Sequence, residues 1–121
     1  MVLLTKLYFD IYSKGDTTME RKFVYNDITL KPDEDNNIVL LSKKSIAPLE
    51  VFQYGINSEG KYYLRWDYPL LGDYELETDY REITQERILE DLNNEIIICE
   101  RNGEMSVVEN IMKAIHYIKN F

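Results

Sequence analysis

Nucleophilic and metal-assisted reactions are most often built on histidine and cysteine, and this chain has one of each, His116 and Cys99. A catalytic triad sets a base beside a Ser or Cys nucleophile and holds it with a third group. A zinc site takes four protein ligands, or three and a water. His116 falls at the edge of an apolar stripe in the final turns of an expected helix, where a cation meets the carbonyl end of the helix dipole. That placement is structural. Cys99 follows Ile96, Ile97 and Ile98, as a buried cysteine acting as a small hydrophobe does. With Arg101 the nearest base in sequence, nothing generates a reactive thiolate. Asp33-Glu34-Asp35-Asn36-Asn37 opens like a calcium loop. Continued, it puts Ile38 where the sharp turn needs Gly and Lys44 where a bidentate Glu is needed, so it reads as a solvated acidic turn. The five glycines are too scattered for a phosphate cradle. Carboxylates abound, yet no pair stands out as a glycosidase-like acid and base. The expectation is a protein without catalytic residues, metal or cofactor.

Charge is the more informative signal. The net charge is -8, and its placement is uneven. Residues 1–65 hold nine acids and nine bases, whereas Trp66 to Glu95 hold ten acids against Arg81 and Arg87. A surface of that sign does not replace the counterions of a nucleic-acid backbone, and it favours a cationic partner. Within it, WDYPLLGDYELETDY repeats Asp-Tyr at Asp67, Asp73 and Asp79. On a strand from Asp73 to Tyr80, Asp73, Glu75, Glu77 and Asp79 share one parity, and Tyr74, Leu76 and Tyr80 the other. Period two sends the acids to one face and the apolar groups to the opposite one. A row of like charges costs a few tenths to about 1 kcal/mol per close exposed pair. Either Lys61 and Arg65 on the preceding strand offset that repulsion, or a basic partner does, with tyrosines as low-entropy contact area at its rim.

These residues must be positioned by elements that alternation and turn chemistry delimit. Thr5, Leu7, Phe9 and Ile11 alternate with polar neighbours, as in a half-buried strand, and Lys14-Gly15-Asp16 follows as a turn. Arg21 to Leu30 reads as a second strand, Lys31 to Asn36 as a turn, and Ile38 to Leu41 as a strand apolar on both sides. A hairpin pairs Val51–Ile56 with Lys61–Trp66 through Asn57-Ser58-Glu59-Gly60, with Phe52, Tyr54 and Ile56 on one face of the first arm and Tyr62, Leu64 and Trp66 on one face of the second. After Pro69 and Gly72 comes the acidic strand. Thr84 caps a helix with Ile88, Leu89 and Leu92 as its stripe and Arg87 spaced four residues from Asp91. Ile96 to Cys99 reads as a buried strand ending at Asn102-Gly103. Ser106 and Glu109 form a capping box ahead of a helix with Val107, Val108, Ile111, Met112, Ile115 and Ile118 on one side.

Strands first and helices late define an α+β domain over residues 1–121: an antiparallel sheet of five or six strands with one or two late helices, the C-terminal one packed on the sheet. Two independent cores would each be marginal at this length. No apolar run approaches the roughly 20 residues of a membrane span. Lys6 and Asp10 interrupt the opening apolar run before a signal-peptide core forms, and one cysteine fits a reducing compartment. A cytoplasmic location in a bacterial or host cell is expected.

The leading functional expectation is a non-enzymatic inhibitor that occludes a positively charged, nucleic-acid-binding site on another protein, such as a nuclease, in the manner of immunity proteins, antitoxins and phage anti-defence proteins. Its charged contacts would be Asp67, Asp73, Glu75, Glu77 and Asp79, and its aromatic contacts Trp66, Tyr68, Tyr74 and Tyr80. It would bind neither nucleic acid nor membrane directly. The alternatives are a nucleotide or small-ligand sponge using bases such as Arg21, Lys22, Lys43, Lys44 and Arg65, and a homo-oligomeric structural or assembly protein pairing through edge strands.

Overall fold

The computed structural model describes residues 23–46, 49–69 and 76–121. The expected strand at Thr5–Tyr12, the turn at Lys14-Gly15-Asp16, Gly72, and the acidic-strand residues Asp73, Tyr74 and Glu75 lie outside them.

Five strands, β1 (Phe23–Tyr25), β2 (Ile38–Ser45), β3 (Val51–Ile56), β4 (Tyr62–Pro69) and β5 (Leu76–Glu82), precede two helices, α1 (Gln85–Arg101) and α2 (Met105–Lys119). The strands form one antiparallel sheet in chain order. Short connections make such a meander, because antiparallel neighbours need no crossover. The α+β expectation holds, with both late helices against the sheet. No described helix is long and apolar enough to cross a membrane.

The expected hairpin forms, in a register with Phe52 opposite Trp66, Tyr54 opposite Leu64 and Ile56 opposite Tyr62. Its loop is built by Asn57, whose Oδ1 accepts from the Glu59 and Lys61 N–H groups at 3.0 Å each. Gly60 closes it at φ 77°, the left-handed region that a Cβ disfavours. The acidic turn before β2 works alike: Asp33 Oδ1 accepts from the Asp35 and Asn37 N–H groups at 2.9 Å each. The carboxylate expected to be solvated therefore organises its own loop, and Asn36 takes the left-handed conformation at φ 61°.

The core lies between the helices and the sheet face that carries Tyr25, Ile38, Leu41, Tyr54, Ile56 and Tyr62. A register shift between Val39 and Leu41 inserts Leu40 as an extra residue, and Leu40 and Leu41 are both buried in the core. The bulge thus lets two successive side chains enter a core that strict alternation would open to one. Each fully buried leucine contributes about 1.5–3 kcal/mol.

Four expectations about elements are corrected. Arg21 to Leu30 is a strand only over Phe23–Tyr25 among its described residues. Leu30 is turned off the sheet at φ 55°. Ile96 to Cys99 is no strand: it continues α1 as one 17-residue helix. The buried residues Ile88, Leu92, Glu95 and Cys99 recur at helical spacing, while Ile97 and Ile98 remain 54% and 45% exposed. A run of β-branched residues reads as strand by composition, but burial of one stripe outweighs a propensity deficit of a few tenths of a kcal/mol per residue. Asn102-Gly103 accordingly ends a helix. Gly103, at φ 75°, donates to Glu100 O, and the Glu104 N–H reaches back to Cys99 O, the paired bonds of a Schellman ending. The Ser106–Glu109 capping box does not form, because α2 starts two residues earlier than that box requires, with Glu104 at its N-cap and no side-chain cap bond. Of the expected α2 stripe, Met112 is 57% exposed, and Ala114 takes a core position beside Val108, Ile111 and Ile118.

Candidate functional site

β5 is an end strand among the described residues, and its register on β4 decides where the acidic stretch points. Trp66 lies opposite Asp79, Tyr68 opposite Glu77, Arg65 opposite Tyr80 and Asp67 opposite Thr78. Directly opposed residues share a face, so Glu77 and Asp79 stand on the face of Trp66 and Tyr68, and Leu76 and Tyr80 on the other. The expected separation of acids from apolar groups is present over Leu76–Tyr80. The apolar side is no core, however, since Leu76 is 52% and Tyr80 48% exposed.

The two described Asp-Tyr pairs, Asp67-Tyr68 and Asp79-Tyr80, do not build one surface. Asp67 faces away from Asp79, and its Oδ1 accepts from Arg65 Nε at 3.2 Å and Thr78 Oγ1 at 2.5 Å. Arg65 is therefore spent on its own strand, and Lys61 approaches Glu59 at 3.6 Å and Glu82 at 3.8 Å. Neither cation reaches Glu77 or Asp79. Odd residues of β4 oppose even residues of β5, which puts the expected neutralising bases on the wrong face. Asp79 instead pairs with Arg81 at 3.1 Å, and Glu77 is exposed and pairs with no cation of the described residues.

The aromatic residues divide in the same way. Trp66 is one of a row with Phe52, nearly parallel at 5.8 Å between centroids, and Tyr68, tilted at 4.4 Å. Phe23 meets Phe52 edge-on at 6.0 Å, and the Lys43 ammonium sits 4.3 Å from the Phe23 ring centre. Trp66 Nε1 is buried without a hydrogen-bond partner among the described residues. On the opposite face Tyr80 stacks on Tyr63 at 5.2 Å and accepts from Asn57 Nδ2 at 3.2 Å, which ties the hairpin loop to β5. Tyr63 lies across Gly55, where a Cβ would come 2.5 Å from its hydroxyl oxygen.

Two carboxylates of the acidic stretch have a role that period-two reasoning missed. Asp91 and Glu95, one turn apart on α1, face the sheet. The Tyr54 hydroxyl donates to Asp91 Oδ2 at 2.7 Å, and Arg87 Nε donates to the same oxygen at 3.0 Å. The Tyr25 hydroxyl donates to Glu95 Oε1, and Lys43 Nζ binds Glu95 Oε2 at 2.9 Å. These bonds pin α1 across β1, β2 and β3. Burial pushes the Tyr25 and Tyr54 hydroxyls well above the usual tyrosine range, and donation to a neighbouring acceptor pushes them further. Cys99 is fully buried beside Tyr25, and burial raises its thiol pKa, consistent with a core role. His116 is exposed in the last turn of α2, as the stripe-edge position implied. The helical spacing of Asp91 and Glu95 was visible in the sequence; their tyrosine partners, 37 and 70 residues distant, were not.

No described group of His, Cys, Asp and Glu residues is arranged to hold a metal ion. Two open grooves lie among the described residues: one of about 490 Å³ is lined by Glu82, Ile83, Thr84 and Arg87, and an apolar one of about 440 Å³ lies between Leu30 and α2. Comparison with known protein families, curated proteins and solved structures finds no match to this chain.

Proposed function

We propose that the chain is a non-enzymatic acidic binding protein that neutralises a partner with a basic, nucleic-acid-binding site, as an immunity protein, antitoxin or phage anti-defence protein does. The observation that carries this reading is the β5 flank, where Glu77 is exposed and pairs with no cation of the described residues and Asp79 is held by an exposed Arg81. An exposed pair of that kind is worth about 0–1 kcal/mol, so a partner's arginine can replace Arg81 at little cost. The acidic surface is narrower than the charge count suggests. Asp67, Asp79, Glu82, Asp91 and Glu95 are engaged by internal cations, two of them in holding α1. The contact therefore centres on β5. Opposite charge there speeds encounter and makes binding sensitive to salt.

The test is affinity capture at low and high salt, with the wild-type chain and with Asp73, Glu75, Glu77 and Asp79 replaced by Ser. The expected result is a basic protein whose nuclease or nucleic-acid-binding activity the wild type blocks, with affinity reduced tenfold or more in the variant. Capture of no basic protein, or of one held equally by the variant, would remove the reading.

A further inference from the structure

We infer that the partner docks by β-addition, laying an extended basic segment along the edge of β5 that faces away from β4 as another strand of the sheet. The inference rests on the proposed function for the sign of the partner's charge; the docking mode comes from the sheet. β5 pairs with β4 over Leu76–Glu82 without a register shift, and β4 is its one strand neighbour among the described residues. The outer backbone groups of such a strand are a template for another chain. Proteins usually blunt long edges with proline, a bulge or charged side chains. β5 has no proline and no bulge, and its charges, three acids to one base, repel a like edge but not a basic one; Leu76 and Tyr80 are exposed on one face, with Glu77 and Asp79 on the other. β1, at the opposite end, offers three described residues.

The alternation specifies the occupant. Directly opposed side chains on paired strands stand about 4.5–5.5 Å apart at Cβ. An incoming strand would place Lys or Arg against Glu77 and Asp79, and apolar or aromatic residues against Leu76 and Tyr80. Like charges directly opposite each other are unfavourable. β5 has three acids to one base, so a second copy of itself is a poor occupant.

The probe is a cyclised β-hairpin peptide, constrained to limit the entropy lost on ordering. Its outer strand carries Lys opposite Glu77 and Asp79 and Val opposite Leu76 and Tyr80. Amide hydrogen exchange of the full chain is followed with and without the peptide at low salt. The expected result is at least tenfold slower exchange at alternate β5 amides, those directed away from β4, with α1 and α2 unchanged. A peptide of identical charge, N-methylated on its pairing edge, should bind at least tenfold more weakly. The variant Glu77→Lys/Asp79→Lys should reverse the preference, taking a peptide with Glu in place of Lys.

Equal binding of the methylated peptide would show docking through side chains alone and overturn the proposal. So would β5 amides already slow in the isolated chain, which means that another segment of the chain fills the edge, or protection that grows with protein concentration alone, which means that a second copy does. A basic partner captured through the four acids while β5 stays unprotected would sink this docking mode and leave the proposed function standing. A peptide that adds to β5 while no basic partner exists would do the reverse.

Discussion

Glu95 is a buried carboxylate whose charge is answered by two groups from the sheet, the Lys43 ammonium and the Tyr25 hydroxyl. Its side chain is 8% exposed and that of Lys43 15%, so water screens the pair weakly. Removing one partner of such a pair strands the other, at about 3–5 kcal/mol. Lys43→Met should therefore lower stability by about that amount in urea unfolding. Lys43→Met combined with Glu95→Leu should recover most of the loss, because no uncompensated charge remains; a single variant as stable as wild type would show that the pair is not desolvated. Cys99 belongs to the same cluster. Its thiol is buried and its pKa raised, so modification by a thiol reagent should proceed at the rate of unfolding and not faster. Its core character was legible from the three preceding isoleucines. Glu95 was legible as an acid in an acidic stretch and no more, because burial of a charge depends on partners far away in sequence.

Among the elements, α1 and α2 differ at their N-termini in a way that mutation should expose. Thr84 Oγ1 accepts from the Arg87 N–H at 3.1 Å, so Thr84→Ala should cost about 1 kcal/mol. Ser106 lies inside α2 and caps nothing, so Ser106→Ala should stay within about 0.5 kcal/mol of wild type, read from the same urea midpoints. In the sheet, Gly55→Ala would set a Cβ 2.6 Å from the Ile38 carbonyl oxygen as well as against Tyr63, and overpacking of that kind costs about 1–3 kcal/mol. The β3–β4 hairpin was readable because a turn with glycine at its last position separates two alternating arms; its register was fixed only in the structure. The second half of α1 was not. Ile96-Ile97-Ile98 looks the same in a buried strand and in a helix that buries one residue of each turn, and the choice falls to whichever stripe meets the core.

For the whole molecule, the two tyrosine–carboxylate contacts make stability depend on alkaline pH. Tyrosine ordinarily ionises near pH 10, and Tyr25 and Tyr54 hold their protons to higher pH when folded. Their contribution is complete below pH 10. Above it the unfolded chain releases protons that the folded chain retains, so stability falls, by up to about 1.4 kcal/mol per pH unit for each group. Unfolding midpoints measured from pH 8 to 11 should decline more steeply above pH 10 in the wild type than in Tyr25→Phe/Tyr54→Phe; parallel curves would show that these hydroxyls are not held in the folded state. The two phenols anchor α1 to different strands, β1 and β3, so the alkaline loss should appear as cooperative unfolding rather than local fraying. What the sequence by itself determined is that strands come first and helices late, the α+β class, the alternation within β5 and the excess of negative charge, all properties of neighbours along the chain. Tertiary structure alone decided that Asp67 turns away from Asp79, that Lys61 and Arg65 miss the acids they were expected to neutralise, and that Asp91 and Glu95 face inward. The reason is one of parity and distance: a register offset of one residue exchanges the faces of a strand, and a buried carboxylate is tolerated only where remote side chains arrive to bind it.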